Sequence, residues 1–315
     1  ATLPAAAPGV SVYAATGTAI SIAAGRLSYA LGMQGTCLSL DTACSSALAA
    51  VYPAMCCLRD AECPASLVAA SSMMLVPRAS VGYAQAGMLS VDGRCKTFDA
   101  RANGYARGEG TGALVLSPNN TSGDSRSGVH VAACVVRQDG RSASLTAPSG
   151  AAQARLVRGA IASGSLTANE LLSIEAHGTG TALGDPTEIG ALGKALSTDR
   201  CVSLGAVKAS VGHLEPSAGM LGLVRATLAL GQRHTAANRA LQQLNPLIAD
   251  RLGGRSEQTV LATQCGGLNA LRACSLSSFG YSGTIAHAVL LFESVHTSTE
   301  AMLPLALRRK MFSWR

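Results

Sequence analysis

Leu38-Ser39-Leu40-Asp41-Thr42-Ala43-Cys44-Ser45-Ser46-Ala47-Leu48 is the stretch on which the reading of this chain turns. Leu38 and Leu40 alternate with polar residues, the period of a short strand. Asp41 and Thr42 are turn and cap residues, and a run of helix formers begins at Ala43. The pattern places Cys44 where a strand turns into a helix. Unpaired N–H groups and the partial positive charge at a helix start favour thiolate over thiol, and thiolate is the nucleophile. The same setting suits a buried structural cysteine, so this stretch alone leaves both readings open.

Two later stretches favour the nucleophile. Ile174-Glu175-Ala176-His177-Gly178-Thr179-Gly180-Thr181 and Val207-Lys208-Ala209-Ser210-Val211-Gly212-His213-Leu214-Glu215 each set a histidine beside turn residues after a short apolar run. One cysteine and two histidines in such settings point to thiolate chemistry on a carbonyl. Either histidine taken alone reads as a satisfied core or turn residue.

Composition narrows the class. The chain has 315 residues, 48% hydrophobic and 14% charged, so it is globular and can bury a large core. Its net charge of +7 comes without a dense Lys/Arg run interleaved with aromatics, which disfavours nucleic acid. Arg308-Arg309-Lys310 is the one locally basic run, and three charges read as a solvated end. Ten cysteines scattered through a long chain are not a disulfide framework. Cys56, Cys57 and Cys63 cluster, but no second pair at zinc spacing follows, so no metal is expected. The uncharged stretch before Arg26 is broken by Pro4, Pro8 and glycines, which argues against a membrane span. Without an initiator Met or a basic leader, the chain is expected to begin inside a larger protein.

The remaining elements read as follows. Thr16-Gly17-Thr18 caps a helix that runs to Leu31, with Gly32 as its stop. Pro53 bends or ends the Cys44 helix. Strands are expected over 65–72, 113–116, 129–136, 171–176 and 202–207, and helices over 153–162 and 218–230. Residues 82–90 are a loop or short helix, and 117–128 form a surface loop. Glycines 108, 110 and 112 lead into a strand and not a helix, so they are not a phosphate loop. Asp185 is an N-cap, Pro186 the first helical residue and Glu188 the partner in a capping box. Residues 274–284 and 286–291 make a hairpin of two strands, and everything past Glu293 is linker. Alternating strands and helices imply an α/β protein with largely parallel strands.

At this point the motifs resemble a family. Asp41-Thr42-Ala43-Cys44-Ser45-Ser46, Glu175 to Thr181 with Gly184-Asp185-Pro186, and Lys208 with Gly212-His213-Leu214-Glu215 are similar to the three signature motifs of β-ketoacyl synthases. Ser277-Ser278-Phe279-Gly280-Tyr281-Ser282-Gly283-Thr284 resembles the family's closing glycine-rich turn. Tyr105-Ala106-Arg107-Gly108-Glu109-Gly110 and Gln138-Asp139-Gly140-Arg141 look most like ketosynthase domains of type I polyketide synthases. The Gly-Tyr-Ser-Gly-Thr-Ile-Ala-His form is similar to protist enzymes. The resemblance spans roughly residues 10–293.

The resemblance implies a thiolase-like, five-layer αβαβα fold of two related halves. The N-terminal half (1–165, carrying Cys44) is incomplete, because the family's first elements precede Ala1. The C-terminal half is 166–293, and 294–315 follow as linker. It implies an acyltransferase that loads an acyl group onto Cys44. It then decarboxylates a malonyl-type extender and condenses the two by a Claisen reaction. His177 and His213 would hydrogen-bond the extender's thioester carbonyl, with Lys208 supporting the His177 side electrostatically and Glu215 standing behind the first ring of residues. Backbone N–H groups of Cys44 and Tyr281 would form an oxyanion hole. Thr179 and Thr181 would bind the phosphopantetheine arm, and Phe279 would contact substrate. No cofactor is bound; phosphopantetheine arrives on the acyl-carrier protein, the partner that brings acyl and malonyl thioesters. A homodimer inside the cell, in cytoplasm or plastid, is expected. Tyr281 stands where the family often has Phe, and Ile285 where it usually has Asn, which removes a polar anchor. A fatty-acid condensing enzyme and a non-catalytic fragment or dimer scaffold are the alternatives. A Cys-His hydrolase lacks its local signature around Cys44.

Overall fold

A six-stranded mixed sheet carries the site, and the chain builds onto it in order. The computed structural model describes residues 13–118, 128–196, 198–268 and 272–293. Helices α1 (Ala14–Thr18) and α2 (Ser21–Leu31) come first. The single helix expected here is broken at Ala19, whose backbone is extended. Thr16 and Thr18 do not cap it: their hydroxyls donate to the Tyr13 and Ala14 carbonyls one turn back. Gly32 does stop α2, in the left-handed conformation, with its N–H on the Ser28 and Tyr29 carbonyls.

Residues 38–40 form no strand, and Leu38 and Leu40 are exposed. Alternation marks a chain fit to pair, but a strand exists only where a neighbour supplies its hydrogen bonds, and none of the described strands lies beside this one. A 3-10 turn over Ala43–Ser45 then opens α3 (Ser46–Arg59). Pro53 lies inside α3 and does not end it.

Next come β1 (Ser66–Ser72), α4 (Pro77–Gln85) and β2 (Gly110–Leu116). β1 and β2 pair antiparallel as a two-stranded sheet. β3 (Val129–Gln138), α5 (Gly150–Ser163) and β4 (Leu171–Glu175) follow. Then come α6 (Gly184–Ala195), β5 (Val202–Gly205), α7 (Lys208–Val211) and α8 (Ala218–Gln232). β6 (His234–Thr235), α9 (Pro246–Leu252), β7 (Thr259–Leu261) and β8 (Gly266–Gly267) lead to β9 (Ala273–Phe279) and β10 (Thr284–Phe292).

The large sheet runs β3-β10-β9-β4-β5-β7. β9, β4, β5 and β7 are parallel neighbours, while β10 is antiparallel to both β3 and β9. The β9–β10 hairpin is therefore as expected. β9 is buried at every position, its three serines included, and β10 along its middle, because helices cover both faces. On one face α5, α6 and α9 bury Leu156, Ile189 and Ile248 completely. On the other, α3 and α8 bury Leu48 and Leu230 between the large sheet and the β1–β2 pair. Helices, sheet, helices and sheet thus stack in the order that the expected αβαβα alternation requires. Among the described residues, no helix is long and apolar enough to cross a membrane. The loop expected over 117–128 lies mostly outside the described residues, as do the segments before residue 13 and after 293.

Ile285 gives the β9–β10 turn its footing in a way the sequence did not announce. Its side chain is fully buried with Ala152, Leu156 and Phe279. The turn closes through Gly280 N–H to the Thr284 carbonyl and Gly283 N–H to the Gly280 carbonyl, and Gln138 Nε2 donates to the Ser282 carbonyl at 3.4 Å. Packing replaces the polar anchor.

Candidate active site

Cys44 stands on a sharp turn. Ala43, just before it, has φ 53°, left-handed backbone that costs an alanine roughly 1–2 kcal/mol. Strain of this kind collects at functional sites. Local bonds hold the turn: Ala43 N–H donates to Asp41 Oδ1 at 3.0 Å and Thr42 N–H to Ser46 Oγ at 2.9 Å. From the end of β9, Ser278 Oγ donates to the Cys44 carbonyl at 2.6 Å. A Cβ on Gly280 would collide with the Thr42 carbonyl oxygen, so only glycine lets β9 pass this close. That approach aims the Tyr281 N–H, with the N–H of Cys44 itself, at the Cys44 sulfur.

His177 follows β4, and two carboxylates of α6 hold its loop. Glu188 accepts the His177 N–H at 2.7 Å and the Gly178 N–H at 2.9 Å. Asp185 accepts the Phe98 N–H at 2.9 Å and the Gly180 N–H at 3.1 Å. This corrects the sequence expectation. The residue before α6 is Leu183, with no side-chain cap, and Asp185 and Glu188 spend their oxygens on the neighbouring loop. Burial is the reason: both carboxylates are almost fully enclosed, and the loop's N–H groups have no other partners to satisfy them. Desolvation lifts Glu188 to about 7 and Asp185 to about 6.

His213 is held by backbone on both sides. Its N–H donates to the Ala106 carbonyl at 2.7 Å, and Gly108 N–H donates to the His213 carbonyl at 2.8 Å. The His177 and His213 rings lie 5.5 Å apart at 84°, and the Phe279 ring sits 5.3 Å from His177. The nitrogens are assigned by their partners. His177 Nδ1 accepts the Phe279 N–H at 3.3 Å, and His213 Nδ1 accepts the Glu215 N–H at 3.1 Å. An Nδ1 that accepts is unprotonated, so each neutral ring carries its proton on Nε2. Burial and then the Lys208 charge push both histidines well below the ordinary imidazole range, so both stay neutral. His213 Nε2 is buried with no hydrogen-bond partner among the described residues.

Lys208 opens α7 and is itself buried. Burial lowers it, while Glu188, Cys44, Cys95 and Asp185 favour its charge. Its position is tied to β4, because Glu175 accepts the Val207 N–H at 2.6 Å and also pairs with Arg225 of α8. Glu215, in left-handed backbone at φ 46°, receives a bidentate ion pair from Arg107 at 2.6 and 2.8 Å. Arg107 stands in the Tyr105–Gly110 motif with no role visible in the sequence; nothing local links residues 108 positions apart. Thr179 and Thr181 hydroxyls lie 3.3 Å apart, and Thr181 Oγ1 accepts the Gly184 N–H.

A cavity of about 310 Å³ opens beside half-buried Cys44, lined also by Tyr83, Tyr105, Glu215 and Tyr281. Burial pushes the Cys44 thiol up to about 12; Lys208 opposes the rise, Glu215 adds to it, and the two N–H groups oppose it again. The expected thiolate preference at the helix start is therefore overridden, because desolvation of a charge outweighs a partial dipole. Among the described residues, no group of three or more His, Cys, Asp or Glu side chains is placed to hold a metal ion. The arrangement can present a thiol to a carbonyl, two N–H groups to an oxyanion, and two imidazole Nε2–H donors to a second developing charge.

Comparison with known proteins identifies the family of the chain. Residues 2–122 match the family described as Beta-ketoacyl synthase, N-terminal domain, and residues 129–242 match Beta-ketoacyl synthase, C-terminal domain. The chain is 41% identical over 289 residues to a phenolphthiocerol/phthiocerol polyketide synthase of Mycobacterium tuberculosis, covering 89% of this chain and 13% of that protein. It is 39% identical to polyketide synthase GfsB of Streptomyces halstedii, covering 95% of this chain and 6% of that one. The structure superposes on the ketosynthase from module 6 of the bacillaene synthase of Bacillus subtilis with TM-score 0.83 at 32% identity, covering 90% of this chain and 52% of the other. The oxazolomycin ketosynthase domain OzmH KS7 of Streptomyces albus gives TM-score 0.82 at 29% identity, again covering 52% of that chain. The chain therefore spans about half the length of these solved domains and a small part of the curated synthases.

Proposed function

This chain belongs to the β-ketoacyl synthase family and has its thiolase-like fold, and from that premise we propose that it is a condensing acyltransferase of polyketide synthesis. The observation that carries the reading is the histidine pair: both Nδ1 atoms are occupied by backbone N–H donors, which leaves two Nε2–H groups as donors. The names of its relatives favour a polyketide product over a fatty acid.

In the first step the Cys44 sulfur attacks the thioester carbonyl of an acyl group on an acyl-carrier protein. The oxyanion forms against the N–H groups of Cys44 and Tyr281. The C–S bond to phosphopantetheine breaks, and the proton lost by Cys44 leaves on the pantetheine thiol. A high thiol pKa suits this exchange: the proton passes to the departing sulfur and no free thiolate accumulates at Cys44.

In the second step a malonyl-type thioester enters, its pantetheine arm lying along Thr179 and Thr181. Its C–CO2 bond breaks and CO2 leaves. The electron pair forms an enolate whose oxygen accepts hydrogen bonds from His177 and His213 Nε2. The enolate carbon attacks the acyl carbonyl, the C–C bond forms, the C–S bond to Cys44 breaks, and the departing sulfur takes up a proton from solvent to restore the thiol. Neutral imidazoles suit this role because they donate without carrying a charge that the buried site must solvate. Removing one such donor costs about 100- to 1,000-fold in comparable sites. Burial, helped by the Lys208 charge, keeps both rings neutral, and the ring of Phe279 packs beside His177 where the acyl chain meets the extender. The partner is the acyl-carrier protein, which brings the phosphopantetheine, and the synthase acts as a homodimer.

Intact-mass analysis after incubation with an acyl-pantetheine thioester tests the reading. Acylation is expected on Cys44 and lost in Cys44→Ala. His213→Ala should still acylate and fail to condense with malonyl-carrier protein. Acylation that survives Cys44→Ala overturns the assignment.

A further inference from the structure

The cavity beside Cys44 is polar where an alkyl chain would want it greasy. Ser72, Tyr83 and Tyr105 line it, and their hydroxyls have no hydrogen-bond partner among the described residues. The apolar side chains on the lining are Met73, Pro216 and Ala43, and they are outnumbered by polar ones. The rings and backbone that carry these hydroxyls are also held in place. Arg107 lies 5.3 Å over the Tyr83 ring, bound on one side by the Glu215 carboxylate and on the other by Ser80 Oγ at 2.6 Å. Ser80 and Tyr83 share one turn of α4, so this brace fixes the helix against the site. The Tyr105 ring packs edge-on against His213 at 5.0 Å and stands 6.5 Å from Tyr83. Ser72 is buried at the end of β1 and pinned by its pairing with Gly110.

We propose that this pocket selects acyl groups bearing a hydroxyl close to the thioester, at the 3-position, over saturated acyl groups of the same length. The inference rests on the acyl-transfer reading of Cys44. A saturated chain filling this space strips water from three preplaced hydroxyls and returns nothing to them. A 3-hydroxyl, three carbons from the sulfur, replaces that water. Sites that hydrogen-bond a substrate hydroxyl discriminate against its absence far better than apolar pockets discriminate by size. The acyl group moves as before: the new C–S bond forms at Cys44 and the donor leaves as a free thiol. The class of reaction that supplies such a substrate is reduction of a 3-oxoacyl thioester.

The test compares single-turnover acylation of Cys44 by 3-hydroxybutanoyl and butanoyl N-acetylcysteamine thioesters, read by intact mass. The hydroxyacyl donor should react at least about 10-fold faster. Tyr83→Phe and Ser72→Ala, each removing one hydroxyl with little change of shape, should bring the ratio towards one. Equal rates, a faster butanoyl donor, or a ratio unmoved in both variants overturns the proposal while leaving acyl transfer intact. If neither donor modifies Cys44 in protein that iodoacetamide alkylates there, the acyl-transfer reading falls, and this inference falls with it.

Discussion

The carboxylate of Glu188 accepts the backbone N–H of His177 at 2.7 Å, and its second oxygen takes the next N–H, that of Gly178. A residue of α6 thus sets the direction in which the loop after β4 leaves the sheet. Gly180, further along that loop, has φ 79°, and a Cβ there would lie 2.7 Å from the Lys96 nitrogen. Carboxylate and glycine together leave the His177 loop one path.

Glu188→Gln tests that relationship. The amide keeps one acceptor and turns an NH2 group towards a backbone N–H. A buried donor left unsatisfied costs about 1–3 kcal/mol. Condensation is expected to fall more than acylation of Cys44, because in the proposed mechanism His177 serves only the former. Stopped-flow acylation beside steady-state condensation would show the split; equal losses in both would mean that Glu188 only supports the fold.

Cys44 supplies a prediction in pH. Its thiol is pushed up to about 12, so the thiolate fraction is small near neutrality and grows about tenfold per pH unit. Iodoacetamide alkylation at Cys44 should rise without a plateau from pH 7 to 10. A plateau beginning near pH 7 would show that the Lys208 charge and the helix start prevail over burial.

Gly280→Ala should separate acylation from folding. The new methyl collides with the Thr42 carbonyl and moves the Tyr281 N–H off the Cys44 sulfur. Loss of one oxyanion donor predicts an acylation rate lower by about 100- to 1,000-fold. The circular dichroism spectrum should be retained, since β9 and β10 pair along their length beyond the turn. A wild-type acylation rate would rule out the Tyr281 N–H as a donor.

His287 reports on stability. It is buried in β10, its Nδ1 against Ser277 Oγ at 3.0 Å, and burial pushes it down to about 3. Its folded pKa is depressed, so the unfolded chain binds the extra proton below pH 6.5. The contribution is complete above that value and is lost as pH falls from about 6.5 towards 3, by about 1.4 kcal/mol per pH unit. Asp185 and Glu188, raised by burial, slope the opposite way through their own windows. The difference between wild type and His287→Phe isolates the histidine. Urea denaturation at pH 5.5 and 4.5 should show the variant losing less stability between the two, by that amount.

The motifs that the sequence displayed were those whose chemistry is local. Cys44 before α3, the runs that became β4, β5, β9 and β10, and the long apolar α8 were all legible. Each depends on residue type and period over a few neighbours. Asp185 and Glu188 were visible as residues and misread as caps, because a cap and a clamp on another loop look alike in one dimension. Residues 38–40 had the alternation of a strand and found no neighbour to pair with. The Arg107–Glu215 pair left no mark in the sequence at all.

The main strands and helices around the site, the family, and Cys44, His177 and His213 as candidate site residues could all be read from the chain in one dimension, because propensities and motifs act over a few residues. Folding in three dimensions was needed to set which ring nitrogens carry protons, how far burial raises the Cys44 thiol, and which side chains line its cavity. Those properties follow from desolvation and from partners brought together from distant parts of the chain, Phe279 against His177 and Ser278 against Cys44. The free energy of a charge or a hydrogen bond depends on everything packed around it, and only the folded chain specifies that surrounding.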